Sequence, residues 1–331
     1  MQDKIDILLT TYNTKIEYLK QQIDSILNQT YKYFTLIISD DCSQNDEVRK
    51  VLKEYAEKDK RIQLYFQEKN IGVTKNFEFL LKQSTSEYIA FSDHDDLWYE
   101  NKMEEELKAL KENNVSLVYC DANQIDASGK VINNSYIRYK NMPIINKNIN
   151  KKIIPFTRHI AIGCSQLFTK EVKDKMIPFT YNTIVHDWQS TYIASRLNGI
   201  YCVEKPLFGY RIHDTNIFGG RNFKQNIQLW KRQNGNNYKS YLKYRYKVIT
   251  ETYLAGVLMC EEYSKIILDK NKKQTEEIIK YFRNSQKSKI IYIPIYKYFK
   301  YMYFKGIGKR KYKEIMILHF PLISYLVFSR L

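Results

Sequence analysis

Hydrophobic residues in the first hundred positions recur in two alternating periods, and this alternation limits the fold more than any other feature of the chain. Ile5-Asp6-Ile7-Leu8-Leu9-Thr10 is a short apolar run, Ile16, Leu19, Ile23, Ile26 and Leu27 follow at helical spacing, and Phe34 to Ile38 is apolar again. Strand, helix, strand is the expectation. Val48, Val51, Leu52 and Tyr55 mark a second helix, Ile62 to Phe66 a third strand, Phe77, Leu80 and Leu81 a third helix capped by Thr74, and Tyr88 to Phe91 a fourth strand. Strands and helices alternating through short connections imply right-handed crossovers and an α/β fold, its sheet largely parallel and covered on both faces.

After residue 100 the pattern changes. Met103, Leu107 and Leu110 predict a helix, Val115 to Cys120 a strand, and the turn Asp126-Ala127-Ser128-Gly129 an antiparallel return through Val131-Ile132. Residues 133–157 read as a long excursion. Strand-like pieces resume near Ile162 to Phe168, a helix follows His186, and Tyr201-Cys202-Val203 is a further short strand. From about Phe223 the chain looks helical, basic and rich in tyrosine.

Charge separates the same two regions. The 331 residues carry a net charge of +17, and residues 221–331 hold 24 Lys and Arg against 7 Asp and Glu, so residues 1–220 are neutral. A neutral domain with a basic appendage is expected to seek a polyanion. Tyr292 to Tyr312 interleaves aromatic and basic residues, and Ile315 to Phe328 is apolar but shorter than the roughly 20 residues a bilayer crossing needs, with Pro321 interrupting it. The extension therefore reads as a platform lying on an anionic membrane surface. No nucleic-acid motif accompanies the charge, which argues against an RNA or DNA partner. Five scattered cysteines suggest neither a disulfide framework nor a thiolate zinc site. The opening MQDKIDILLTTYN, with Asp3 and Asp6, reads as neither signal peptide nor anchor, so the expected compartment is the cytoplasm, on the inner face of the cell membrane.

In an open parallel sheet, ligands bind beyond the carboxyl ends of the strands. The first strand delivers Thr11-Tyr12-Asn13 there, the second Asp40-Asp41, the third Asn70-Ile71-Gly72 and the fourth Asp93-His94-Asp95-Asp96. Crowded carboxylates repel one another unless a cation joins them, and a hard ion such as Mg²⁺ or Mn²⁺ takes oxygen ligands and bridges to a diphosphate. Asp93 and Asp95, two apart at a strand end, can address one ion. The plainer alternative is an acidic loop capping the next helix. Asp40-Asp41 is either a turn before a helix capped at Asp46 or the acceptor for the N3–H of a pyrimidine base. No G-x-G-x-x-G follows the first strand and no G-x-x-x-x-G-K-[ST] occurs, which argues against a dinucleotide dehydrogenase or P-loop enzyme.

TTYN, ISDDCSQND, NIGVTKNF and FSDHDDLW, in this order after successive strands, resemble the donor half of family 2 glycosyltransferases with the GT-A fold. Thr10 and Cys42-Ser43 depart from the usual Pro and Gly-Ser. Ile162 to Phe168, His186-Asp187-Trp188 and Tyr210-Arg211-Ile212-His213 with Asn216 look like acceptor-half segments of bacterial rhamnosyltransferase-like members. The likeness covers about residues 4–220. It implies a GT-A domain over 1–222, with donor half about 1–100 and acceptor half about 101–222, followed by a helical, membrane-associating extension over 223–331.

What the resemblance implies about roles follows residue by residue. Thr11, Tyr12, Asn13, Asp40, Asp41, Asn70, Gly72, Asn76, Asp93 and Arg211 would bind a dTDP- or UDP-linked sugar donor, Arg211 gripping the diphosphate with its fork of N–H groups. Asp93, Asp95 and His213 would hold the metal. Trp98, Cys164, His186 and Trp188 would shape the acceptor pocket. Asp187 would be the base in an inverting transfer of rhamnose or a hexose to a hydroxyl of a lipid-linked, growing glycan. A metal-dependent phosphohydrolase and an inactive membrane-bound scaffold are the rival readings; the first normally wants an Asp nucleophile where this chain has Thr11.

Overall fold

A computed structural model of the chain describes residues 3–140, 142, 144–145, 160–179 and 186–213. The chain divides into two units between residues 220 and 221; the expected membrane platform, together with Asn216, lies outside the described residues. Among the described residues no helix is long and apolar enough to cross a membrane.

The elements follow the expected alternation at first: β1 (Ile5–Thr11), α1 (Ile16–Leu27), β2 (Phe34–Asp40), α2 (Asp46–Lys58), β3 (Ile62–Phe66), α3 (Val73–Gln83) and β4 (Tyr88–Ser92). Then come β5 (Leu97–Trp98), α4 (Lys102–Glu112), β6 (Leu117–Ile125), β7 (Val131–Asn133), α5 (Tyr136–Lys140), β8 (Gln166–Thr169), α6 (Lys170–Met176), α7 (His186–Arg196) and β9 (Ile200–Arg211). All nine strands join one sheet in the order β3-β2-β1-β4-β8-β6-β9-β5, with β7 beside β6.

Strands β3, β2, β1 and β4 are parallel, and every residue of β1 and β2 is buried, as a strand covered on both faces requires. The one carboxylate inside β1, Asp6, accepts four hydrogen bonds from Ser84, Thr85 and Ser86, so its burial is compensated where α3 turns into β4. Beyond β4 the direction reverses. β8 runs antiparallel to both β4 and β6, and β5 antiparallel to β9, so the sheet is mixed rather than largely parallel. The expected β6–β7 hairpin forms.

Two caps differ from expectation. Asn45, not Asp46, caps α2 by accepting from the Glu47 N–H, and Gly72, not Thr74, precedes α3 with φ of 83°. The expected short strand at 201–203 is a twelve-residue β9, and neither β5 nor α6 was foreseen. An ion pair, Lys102–Glu106 at 2.7 Å, is entirely buried on α4, its ammonium 4.3 Å from the Trp98 ring centre.

Candidate functional site

Parallel pairing brings the ends of the first four strands to one edge. Thr11 is level with Asp40, Asp40 with Phe66, and Leu9 with Ser92. The loops after β1 and β2 lock together: the Asn13 N–H donates to Ser43 Oγ at 2.9 Å, and the Gln44 N–H to Asn13 Oδ1 at 2.9 Å. Tyr12 stands exposed beside them.

The carboxylates of Asp40 and Asp41 organise this rim. Asp40 accepts from the Ser43 N–H at 2.9 Å and from its hydroxyl. Asp41 accepts from the Ile71 and Gly72 N–H groups at 2.8 and 2.9 Å, tying the β3–α3 loop to β2. Burial raises the Asp41 carboxyl above its ordinary range against those two hydrogen bonds, with Asp40 adding to the rise. A Cβ on Gly72 would have free space, so it is the positive φ that calls for glycine there. Asn76, expected on the donor, is buried and bonded to Ser39, joining α3 to β2. Asn70 is exposed.

The third cluster follows β4. Because β8 is antiparallel to β4, the segment just before β8 lies over the end of β4, and Cys164 meets the acidic loop there. One ligand atom each from Asp93, Asp96 and Cys164 lie within 4.8 Å of one another. Asp95 pairs with His213, Nε2 to Oδ2 being 2.8 Å. Burial, then the charges of Asp95 and Asp187, push Asp93 up to about 7, opposed by the Cys164 thiol. Asp96 is likewise held well above the ordinary carboxylate range by burial, then by Asp95 and Asp93. Burial would raise Asp95 too, yet His94 and His213 hold it below the ordinary carboxylate range.

This donor set fits a divalent cation. Two carboxylates and a thiol converge, with Asp95 beside them, and Asp96 Oδ2 is buried with no nitrogen or oxygen donor to satisfy it. Asp96 and the Cys164 thiol enter the cluster although the sequence had pointed to Asp93, Asp95 and His213; the third carboxylate of the D-x-D-D run was the available signal.

Asp187 lies in the first turn of α7. Its Oδ2 accepts from the Gly163 N–H at 3.0 Å, and its carbonyl accepts from Gln166 Nε2 at 3.0 Å, so β8 and the turn before it fix the helix start. A Cβ on Gly163 would come within 2.8 Å of His186 Nε2. The His186 ring itself packs 4.0 Å from Phe77 and 4.7 Å from Phe91, inside the core rather than on an open pocket. Trp98 and Trp188 are also buried, 3% and 6% exposed, and Trp98 belongs to the core beside Lys102.

Tyr136, which sequence reasoning missed, and Tyr210, read there only within the Tyr210-Arg211-Ile212-His213 segment, approach the same cluster. The Tyr136 and Tyr210 rings are 5.0 Å apart. Burial, then Cys164, Asp187 and Asp96, raise the Tyr136 phenol; burial, then Tyr136, Cys164, Asp96 and Asp93, raise that of Tyr210. Arg211, expected on the diphosphate, is 0% exposed and turned into the protein.

The profile described as "Glycosyl transferase family 2" matches residues 6–176. An "Uncharacterized glycosyltransferase" of Rickettsia bellii is 35% identical over 216 residues, 64% of this chain; the chain spans only 29% of that relative's length. The "UDP-Glc:alpha-D-GlcNAc-diphosphoundecaprenol beta-1,3-glucosyltransferase WfgD" of Escherichia coli is 28% identical over 68% of this chain and 83% of its own. S. aureus TarS 1-349 in complex with UDP-GlcNAc superposes with a TM-score of 0.56 at 15% identity, covering 93% of this chain and 77% of that one. The mannosyltransferase PcManGT from Pyrobaculum calidifontis, in complex with GDP-Man and Mn²⁺, gives 0.52 at 14% identity, covering 80% and 76%. These likenesses show the GT-A type of α/β fold.

Proposed function

Since the chain belongs to glycosyl transferase family 2, we propose that it moves a sugar from a nucleoside-diphosphate donor to a hydroxyl of a lipid-linked glycan, with inversion at the anomeric carbon. The observation that carries this reading is the convergence of Asp93, Asp96 and the Cys164 thiol at the end of β4, with Asp95 and Asp187 close enough for their charges to act on Asp93.

The roles follow from the chemistry. Asp41 and Asp40, with Thr11, Tyr12, Asn13, Asn70 and Gly72 around them, form the wall for a uracil or thymine base and its ribose. Asp93, Asp95, Asp96 and His213 would hold Mg²⁺ or Mn²⁺, which supplies charge stabilisation for a departing diphosphate. Asp187 takes the proton of the attacking hydroxyl. It is held for this by the Gly163 N–H on one oxygen, and its buried position keeps bulk water from competing. Tyr136 and Tyr210, paired beside Cys164, would face the acceptor.

A UDP- or dTDP-linked hexose or rhamnose is the proposed donor, and the name of the E. coli relative supports a diphosphoundecaprenol-linked acceptor. The work would take place on the cytoplasmic membrane face, with the basic extension against anionic lipid. A panel of nucleotide sugars, screened by thermal shift with and without Mn²⁺ and then by turnover, tests the proposal. Selective stabilisation by one donor is expected. Asp187→Asn should keep that stabilisation and lose about 10²- to 10⁴-fold in turnover, and Asp95→Asn should lose both. Undiminished turnover by either variant, or no donor response at all, would refute the reading.

A further inference from the structure

Arg211 closes β9, and its side chain reaches three separate segments from a wholly buried position. Nε donates to the Asp95 carbonyl at 2.8 Å, Nη1 to the carbonyls of Ala127 and Asp126 at 3.1 and 3.4 Å, and Nη2 to Gln21 Oε1 at 2.7 Å. Its backbone N–H donates to Asp96 Oδ1 at 3.2 Å. The guanidinium also lies 4.5 Å from the Tyr18 ring centre, and the His213 ring packs on the same tyrosine at 5.5 Å. One planar cation thus joins the acidic loop, the β6–β7 turn and α1.

We propose that Arg211 is a positioning residue, not a phosphate ligand: it clamps the 93–96 loop so that the carboxylate of Asp95 meets His213, two residues further along the same strand exit. The inference rests on reading that loop as the metal-and-donor loop. A diphosphate would need the fork of N–H groups at a surface, and here the fork faces carbonyl oxygens of the protein. The need for arginine follows from the spread of acceptors. A single ammonium on a flexible stem satisfies one or two of them, whereas the rigid planar fork addresses all three segments at once. Asp95 is thus held by the guanidinium through its main-chain carbonyl rather than its carboxylate, which stays free to meet His213.

Arg211→Lys and Gln21→Ala, each in the full chain, test the clamp by two measurements. In metal-free protein, hydrogen exchange at the amides of residues 95–97 and 127–130 should quicken in Arg211→Lys and, more weakly, in Gln21→Ala, because an opened clamp exposes those loops. With Mn²⁺ alone and no nucleotide, spin-resonance titration should show about tenfold weaker binding in Arg211→Lys, the size typical of a lost supporting contact. The preference for UDP over UMP should persist. Unchanged exchange at both loops overturns the clamp, and so does an Arg211→Lys variant that binds Mn²⁺ normally but loses its preference for UDP over UMP. If the unaltered protein binds no Mn²⁺, the metal reading fails by itself, and the exchange data still judge the clamp. Should Arg211→Lys not fold, Gln21→Ala decides by the same exchange readout: faster exchange supports the clamp, and no change overturns it.

Discussion

The Nε2 of His213 lies 2.8 Å from Oδ2 of Asp95, although 118 residues separate the two in sequence. Histidine here comes to a carboxylate that the neighbouring Asp93 and Asp96 would otherwise only repel. His213→Ala should therefore weaken Mn²⁺ binding about 10- to 100-fold while leaving the melting temperature of the metal-free protein nearly unchanged. Titration of Mn²⁺ against both proteins checks this, and equal affinities would remove His213 from the site.

The raised Asp93 carboxyl gives a pH dependence with a definite sign. In the folded protein Asp93 keeps its proton up to about 7, whereas in the unfolded chain an ordinary aspartate loses it near about 4. Between these values the folded state binds more protons, so this group's contribution to metal-free stability falls as pH rises from about 4 to about 7 and is lost above. A cation favours the ionised form. The thermal shift produced by Mn²⁺ should thus be larger at about pH 8 than at about pH 5.5, and identical shifts would exclude Asp93 from the binding step.

Gly163→Ala places a methyl group 2.8 Å from His186 Nε2, and the ring has no room to retreat between Phe77 and Phe91. The first turn of α7 must move, carrying Asp187 with it. A loss of about 1–3 kcal/mol in stability is expected, with turnover falling further than donor affinity. Denaturant melts beside donor titrations separate the two effects, and wild-type turnover would show that this glycine does not set the position of Asp187.

The buried Lys102–Glu106 pair predicts asymmetric mutants. Lys102→Met leaves the Glu106 carboxylate buried without its cation and should cost about 3–5 kcal/mol, whereas Lys102→Met combined with Glu106→Leu should recover most of that. Urea melts of the single and double variants provide the comparison. A double variant as unstable as the single would mean that lost packing around Trp98, rather than the uncompensated charge, dominates.

Deleting residues 286–331 should abolish flotation with vesicles containing anionic lipid if the basic extension is the membrane platform. The expected effect is strongest at low salt, since attraction between exposed charges is screened over about 8 Å at physiological ionic strength. Retained flotation would locate lipid contact elsewhere in the chain.

Local chemistry was readable in the sequence wherever one element decides it. The apolar runs of β1, β2 and β4 and the helical spacing of α1 each state their own conformation, and the polar clusters after β1, β2 and β4 fall at strand ends as parallel pairing demands, while Asn70 to Gly72 lies further on, just before α3. What could not be read depends on distant partners. The direction of β8 is set by its neighbours β4 and β6. β5 has two residues and exists through β9, while the Glu204-Lys205-Pro206 interruption disguised the length of β9. The start of α7 was readable from the H-D-W run, but not that Gln189, Ser190 and Thr191 are buried there, because their polarity gives no apolar stripe. Arg211 illustrates the limit most sharply. An arginine beside a histidine suggests an anion, and only the fold shows carbonyls waiting for it.

The reversal at β8 divides the molecule's labour along the backbone. In the proposed reading, the residues for the base, ribose and metal come from one stretch ending near Trp98, joined by Cys164 and His213 from beyond it, whereas the proposed proton acceptor Asp187 and its supports arrive from strands and turns on the far side of the seam. Recombining the two stretches between relatives should therefore exchange the choice of hydroxyl without exchanging the activated sugar, with Arg211 and His213 as the stitches any such hybrid must keep.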